Sequence, residues 1–172
     1  MKKTVAALFV CALTGCATTT GLAPTETKSG FSGARVVSIS PHGNACTTMQ
    51  CTAVGAQWDS SRPDAALLTI DSYGTEYAGI TGAKLAINGR EVDLKPNSGL
   101  SRLSNIGTMR VSSHDFTVQL SLVREVAAAQ RAWLRVYTTK GYVEHAIIDG
   151  VTDSKAYHAL KRFLSQVDGG KS

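Results

Sequence analysis

At residues 84–94 the chain reads Lys84-Leu85-Ala86-Ile87, then Asn88-Gly89, then Arg90-Glu91-Val92-Asp93-Leu94. Asn-Gly takes positive φ at both central positions of a type I′ turn, whose twist matches that of the strands it joins. Alternating apolar residues flank it on both sides, so this stretch is committed to an antiparallel hairpin. The motif is structural and carries no chemistry. A second hairpin follows at residues 131–148. Trp133, Arg135 and Tyr137 alternate with Leu134 and Val136, Thr139-Lys140-Gly141 turns the chain, and residues 142–148 return as the partner strand. Arg135 and Glu144 are positioned to meet across it as a surface pair of little energetic weight.

The remaining periodicities fill in the sheet and its cover. Residues 31–39 place Phe31, Gly33, Arg35, Val37 and Ile39 on one face and Ala34 and Val36 on the other. Apolar groups on both faces describe a strand buried on one side and partly covered on the other. Pro41-His42-Gly43-Asn44 ends it with turn residues. Residues 54–58 lead to Trp58, read as an anchor of the core or its rim. Residues 65–72 form another strand, and residues 116–118 are extended. From Ser121, taken as an N-cap, the period becomes helical, with Leu122, Val123, Val126 and Ala127 on one face. A last helix over 152–167 carries one apolar stripe, Ala156, Leu160, Phe163, Leu164 and Val167. Thr152 or Asp153 caps its start, Gly169-Gly170 ends it, and Lys155, His158, Lys161 and Arg162 form a solvent-facing basic side. The expected fold is α+β: an antiparallel sheet of about five to seven strands covered by two helices, the last one C-terminal.

Residues 95–113 show no period, being interrupted by Pro96, Asn97, Gly99 and Gly107. A loop of this length in a compact domain is often functional, which makes Arg102 and Arg110 the candidate partner surface. A meander of short edge strands is the competing description of the same residues.

The N-terminus carries a different kind of signal. Met1-Lys2-Lys3 precedes an apolar run over 4–12, too short to span a bilayer, which takes about 20 residues. A basic start, a short apolar stretch and small residues at the cut describe a secretory signal peptide. Leu13-Thr14-Gly15-Cys16 matches all four positions of a lipobox, so this region resembles that of bacterial lipoproteins. The resemblance implies cleavage before Cys16, a diacylglycerol thioether on its sulfur and acylation of the new N-terminus. An Asp after the lipidated cysteine tends to retain such proteins at the inner membrane; Ala17 stands there instead, which resembles the type sorted to the outer membrane. The expected organisation is a signal peptide over 1–15, the lipidated cysteine and a Thr/Gly/Pro-rich linker over 16–30, and a single periplasmic domain over 31–172. That domain resembles small Gram-negative lipoproteins in general and points to no family of defined activity.

Of the four cysteines, Cys11 belongs to the signal peptide and Cys16 is the lipid site, leaving Cys46 and Cys51 as an even pair. In an oxidising compartment such a pair is expected to form a disulfide. His42, Cys46 and Cys51 also run as H-x3-C-x4-C, but neither this spacing nor a second nearby histidine matches a common zinc finger. No metal and no cofactor are therefore expected. The chain has 18 Lys and Arg against 13 Asp and Glu. Without Lys2 and Lys3 this becomes 16 against 13, a net +3 spread along the chain. Nucleic acid calls for a clustered basic footprint, so it is not an expected partner.

Catalytic motifs are missing from the sequence. It contains no G-x-S-x-G elbow, no H-E-x-x-H and no phosphate-cradling glycine loop. His114-Asp115 beside Ser112-Ser113 supplies triad residue types, but neighbours in a strand point to opposite faces. Glu91 and Asp93 share a hairpin face where solvation is the ordinary state of both. The expectation is thus a non-catalytic envelope protein, held in the outer membrane through Cys16, that binds or scaffolds an envelope protein or peptidoglycan. An enzyme or inhibitor acting on the cell wall is the alternative; an inhibitor of a basic enzyme such as lysozyme would call for acidic surface, which +3 does not supply.

Overall fold

The computed structural model describes residues 23–46 and 49–169. The signal peptide, Cys16 and the first part of the expected linker lie outside the described residues. In chain order the elements are β1 (Thr25–Lys28), β2 (Arg35–Gly43), β3 (Cys51–Asp59), β4 (Ala65–Gly74), β5 (Ile80–Ile87), β6 (Arg90–Leu94), β7 (Arg102–Ile106) and β8 (Met109–Gln119). Then follow α1 (Leu120–Ala128), β9 (Arg131–Thr138), β10 (Gly141–Asp149), β11 (Thr152–Asp153) and α2 (Lys155–Gly169).

The class is α+β with antiparallel pairing throughout the ladders, but the strands form two sheets rather than one. Sheet A runs β1-β2-β3-β4-β8-β7, and sheet B runs β11-β10-β9-β5-β6. The strand count exceeds the expected five to seven because several strands have no buried face of their own. All four residues of β1 and all five of β7 are exposed. A period of two is visible in sequence only where one face meets a core, so edge strands wet on both sides leave no trace. Thr25–Lys28, expected in the linker, is therefore an edge strand, paired from Thr25 opposite Ser38 to Lys28 opposite Arg35. Residues 102–106 and 109–113 likewise form a hairpin, Ile106 lying opposite Met109 with Gly107 at φ +57° between them. Of the two descriptions of residues 95–113, the edge-strand one is what the fold contains.

Both helices and the inner faces of both sheets share one core. Sheet A contributes Val37, Ile39, Val54, Leu68, Ile70 and Phe116, all below 5% exposed. Sheet B contributes Ala83, Leu85, Leu134 and Val136. Helix α2 inserts the stripe that its period announces, Ala156, Leu160, Phe163, Leu164 and Val167, with Ala159 beside it. Arg124 of α1 holds Asp168 of α2 in a bidentate pair, both contacts 2.7 Å. Trp58 is the anchor expected: 9% exposed, with its indole N–H donating to the Pro63 carbonyl at 3.0 Å.

Three local readings change. Strand β2 does not end at Ile39; it bulges between Ile39 and His42 and continues to Gly43. Pro41 sits in the bulge, where its missing N–H breaks no ladder bond. The bulge presses onto Gly55, where a Cβ would stand 2.7 Å from both the Ile39 carbonyl oxygen and the Pro41 nitrogen. Helix α1 begins at Leu120 without a side-chain cap, so Ser121 lies inside it; the Leu120 N–H donates instead to the Asp64 carbonyl at 2.8 Å. Helix α2 begins after Ser154, not after Thr152 or Asp153, because those two residues pair with Asp149 and Ile148 as β11.

The Asn88-Gly89 hairpin forms as read. Asn88 has φ +47° and Gly89 φ +89°, and Ile87 lies opposite Arg90.

Candidate functional site

The outer face of sheet B is built by strand register. Side chains alternate along each strand, so one face collects every second residue. Leu134, Val136, Leu85 and Ala83 turn into the core, which leaves Arg131, Trp133, Arg135 and Tyr137 of β9 on the other side. Cross-strand pairing sets them in rows. Glu144, Arg135, Lys84 and Asp93 form one row across four strands. Ala146, Trp133, Ala86 and Glu91 form the next. Asp149 and Arg131 lie beyond it, beside the Asn88-Gly89 turn.

The second row makes a groove. Trp133 has an alanine opposite it on each neighbouring strand, so no long side chain stands directly across from the indole, and Arg131 and Arg135 flank it along β9. The resulting hollow has a volume of about 230 Å³, with Trp133, Ala86 and Gly89 in its lining and Lys84, Glu91, Arg135 and Glu144 around it. The indole is half-buried, and its Nε1–H donates to Asp149 Oδ2 at 3.1 Å. That bond fixes the ring orientation from the edge and leaves its faces to packing and solvent.

The charges around the groove are paired. Lys84 Nζ lies 2.7 Å from Glu91 Oε2 and 3.5 Å from Asp93 Oδ1. Arg131 Nε lies 3.1 Å from Asp149 Oδ1, and Arg135 Nε donates to Glu144. The hydrogen bond from Lys84 holds the Glu91 carboxyl below its usual range, and the same bond raises the Lys84 ammonium. Arg135 is likewise raised, first by its bond to the Tyr137 hydroxyl and then by the one to Glu144. Its guanidinium also lies over Tyr142, 5.0 Å from the ring centroid. Glu91, Lys84 and Arg135 are thus held in their charged forms, with Lys84 and Arg135 partly covered and Glu91 exposed.

The residues singled out from sequence fall elsewhere. Arg102 forks onto Asp115, with contacts of 2.6 and 2.9 Å. Arg110 lies over the Tyr77 ring at 5.6 Å. Arg102 is opposite Ser113 and Arg110 is opposite Asn105. Position 110 is an odd number of residues from 113, so the two arginines project from opposite faces of sheet A and do not form one surface. The segment before them is also tied down. The Thr117 N–H donates to Asn97 Oδ1 at 3.0 Å, and the Ile80 N–H to Ser101 Oγ at 2.8 Å.

Cys46 and Cys51 form a disulfide, with Cα atoms 5.4 Å apart. Sulfurs bonded to each other are not thiolates, so the H-x3-C-x4-C run loses both of its cysteine ligands and keeps only His42. A buried polar chain anchors this loop to sheet B. Asn44 Nδ2 donates to Thr52 Oγ1 at 2.8 Å, and Thr52 Oγ1 lies 3.1 Å from His145 Nδ1. The threonine hydroxyl is then free to donate to Nδ1, which suits a neutral imidazole. Burial pushes the His145 pKa down in the same sense, against a bond to the Gln50 backbone. Neither sequence spacing nor residue type announced this chain, since its members come from β3, β10 and the loop between β2 and β3.

His114 and Asp115 are placed on opposite faces, as strand neighbours must be. His114 is 5% exposed and meets the Asn97 carbonyl at 3.0 Å through Nε2, while Asp115 is occupied by Arg102 and by Thr69 at 2.8 Å.

Trp133 was legible in the sequence only in part. The alternation Arg131, Trp133, Arg135, Tyr137 opposite an aliphatic set placed a large aromatic on a wet face, which is the signal to follow. Its neighbours Ala86 and Glu91 were not legible, because they depend on β5 lying beside β9. No family model matches the chain, and neither does any curated protein or solved structure.

Proposed function

We propose that this protein is a lipid-anchored, non-catalytic component of the cell envelope, facing the periplasm from the outer membrane and holding another envelope component on the outer face of sheet B. The observation that carries the binding reading is the groove over Trp133: a large aromatic ring kept accessible between two alanines, with its indole N–H already engaged and charged groups converging around it. Pockets that bind small groups have this make-up, an apolar floor with a few placed polar groups. The lipobox at residues 13–16, with Ala17 after it, supports the anchor and its location. Anchoring restricts the protein to a surface, so contacts too weak to matter in solution gain from a high effective concentration.

Two measurements test this. Cys16→Ser is expected to leave the protein unprocessed or released from the membrane fraction, and normal membrane retention of that variant would overturn the anchor. A photo-crosslinking residue at Tyr142 or Lys84, introduced in the lipidated protein in cells, is expected to capture an envelope component that the same residue at Leu103 on β7 does not. Equal capture at the two faces would remove sheet B as the binding surface.

A further inference from the structure

We infer that the groove over Trp133 is a saccharide subsite that takes one neutral pyranose ring of a polysaccharide. This rests on the reading of the outer face of sheet B as the binding surface, and it names the chemistry of what binds there.

The first support is the state of the indole. Four other aromatic rings among the described residues carry a cation. Arg35 lies 5.6 Å from the Trp58 ring, Arg110 5.6 Å from Tyr77, Arg135 5.0 Å from Tyr142, and Lys161 Nζ 5.1 Å from Tyr157. Among the described residues no cation lies over Trp133, and the three cations near it are held by carboxylates: Lys84 by Glu91, Arg135 by Glu144 and Arg131 by Asp149. The cross-strand neighbours Ala86 and Ala146 rise no further than Cβ. With Nε1 held by Asp149, the ring is a fixed platform, and a fixed platform loses little entropy on binding.

The second support is the charge balance. Three cations face four carboxylates, Glu91, Asp93, Glu144 and Asp149, so an anion meets net repulsion and a cation would have to break an existing pair. A pyranose does not. Its axial C–H groups form an apolar face that packs on an indole, while the hydroxyls around its rim both donate and accept. A carboxylate bonded to one lysine or arginine still has unused lone pairs, and the cations have further N–H groups. Hydroxyls can therefore join these pairs without leaving any charge unmatched, and charge-assisted bonds are the stronger kind.

The third support is size and openness. At about 230 Å³ the hollow lies below the range typical of drug-sized ligands and suits a single ring. It opens on a sheet face and not into a closed cavity, which lets a polymer run on beyond the bound unit. A peptide adding by backbone hydrogen bonds would use a sheet edge, β6 or β11, and not this face.

The test uses the full-length protein in detergent, titrated with two neutral probes while tryptophan emission is followed. One is the tetramer of β-1,4-linked N-acetylglucosamine, which has the sugar chemistry of wall glycan; the other is maltotetraose, which lacks the acetamido groups. Saturable change with at least one probe is expected, and preference for the acetamido sugar would assign the source to wall glycan over other polysaccharides. Trp133→Ala and Ala86→Gln are each expected to weaken binding at least tenfold, followed by calorimetry; Ala86→Gln fills the groove from the open face and keeps a test available if Trp133→Ala does not fold. Binding that is unchanged in Ala86→Gln would overturn the assignment of the groove. No response to either sugar at millimolar concentration, with a protein still captured by crosslinkers on this face, would overturn the saccharide while leaving the binding surface. No response and no capture would remove both.

Discussion

Asp71 shows how far the fold departs from residue-level expectation. It lies on β4 with 8% of its surface exposed, Oδ2 accepting from the Tyr73 hydroxyl at 3.1 Å and Oδ1 buried without a hydrogen-bond partner among the described residues. Burial raises its pKa, against bonds from Ser113 and Tyr73 and the charge of Arg102. A carboxyl that binds its proton more tightly when folded favours the folded state below the ordinary carboxylate range, and that advantage is lost as pH rises through the raised value. Asp71→Asn keeps an acceptor for Tyr73 and removes the charge. It is expected to hold or raise stability at pH 7, and to flatten the fall in stability between acid and neutral pH, as read from urea midpoints across that range. Lower stability of the variant at pH 7 would show that the charge is compensated by Arg102. His145 has the opposite slope: its depressed pKa means stability is present above the ordinary histidine range and lost as pH falls.

Among the elements, α2 was the most readable and its boundary the least. The stripe from Ala156 to Val167 appears in the structure as read, with all six inward residues buried. The start moved because a helix cap is a competition between neighbours. Thr152 and Asp153 are taken by β11, and Ser154 is the next residue able to cap. Its hydroxyl donates to the Ile147 carbonyl at 2.7 Å and accepts the Tyr157 N–H at 3.2 Å, joining helix to sheet B. Ser154→Ala is therefore expected to cost about 1–2 kcal/mol, at the upper end for a cap, since Ser154 is 6% exposed and a carbonyl loses its donor as well. A loss under half of that in denaturant unfolding would mean that water replaces the hydroxyl. The Cys46–Cys51 bridge acts at the same scale. Closing so short a loop contributes about 2 kcal/mol on chain-entropy grounds, and it holds the segment from which Asn44 reaches Thr52.

At the scale of the whole molecule, α2 joins the core that the two sheets share, packing chiefly on β2 and β3 of sheet A. Phe163 is fully buried, and Arg35 of β2 donates to the Val167 carbonyl at 3.0 Å, at the far end of the same helix. Phe163→Ala is expected to cost about 3–5 kcal/mol, comparable with the low end of a domain's whole stability of about 5–15 kcal/mol. The result would be a protein close to unfolding at room temperature, visible as a large drop in the urea midpoint with little change in its slope. The open outer face of sheet B lies away from this core, so changes such as Ala86→Gln should leave the unfolding free energy within about 0.5 kcal/mol of the parent, as surface substitutions usually do.

Local chemistry by itself determined the parts whose cause is local. The Asn88-Gly89 turn follows from what two residues can do at positive φ, the second hairpin from alternation around Thr139-Lys140-Gly141, and α2 from a stripe at helical spacing. The α+β class follows from these together, and the pairing of Cys46 with Cys51 from an even count at short range. Tertiary structure alone decided the division into two sheets, the strands β1 and β7 that have no buried face to announce them, and the placing of Arg102 and Arg110 on opposite sides of sheet A. It also made the groove. Trp133 was visible on a wet face of its strand, but Ala86, Lys84 and Glu91 come to it from nearly fifty residues earlier, through the pairing of β9 with β5 and of β5 with β6. Strand order is set by how whole faces bury against one another, and no spacing within a single segment records it.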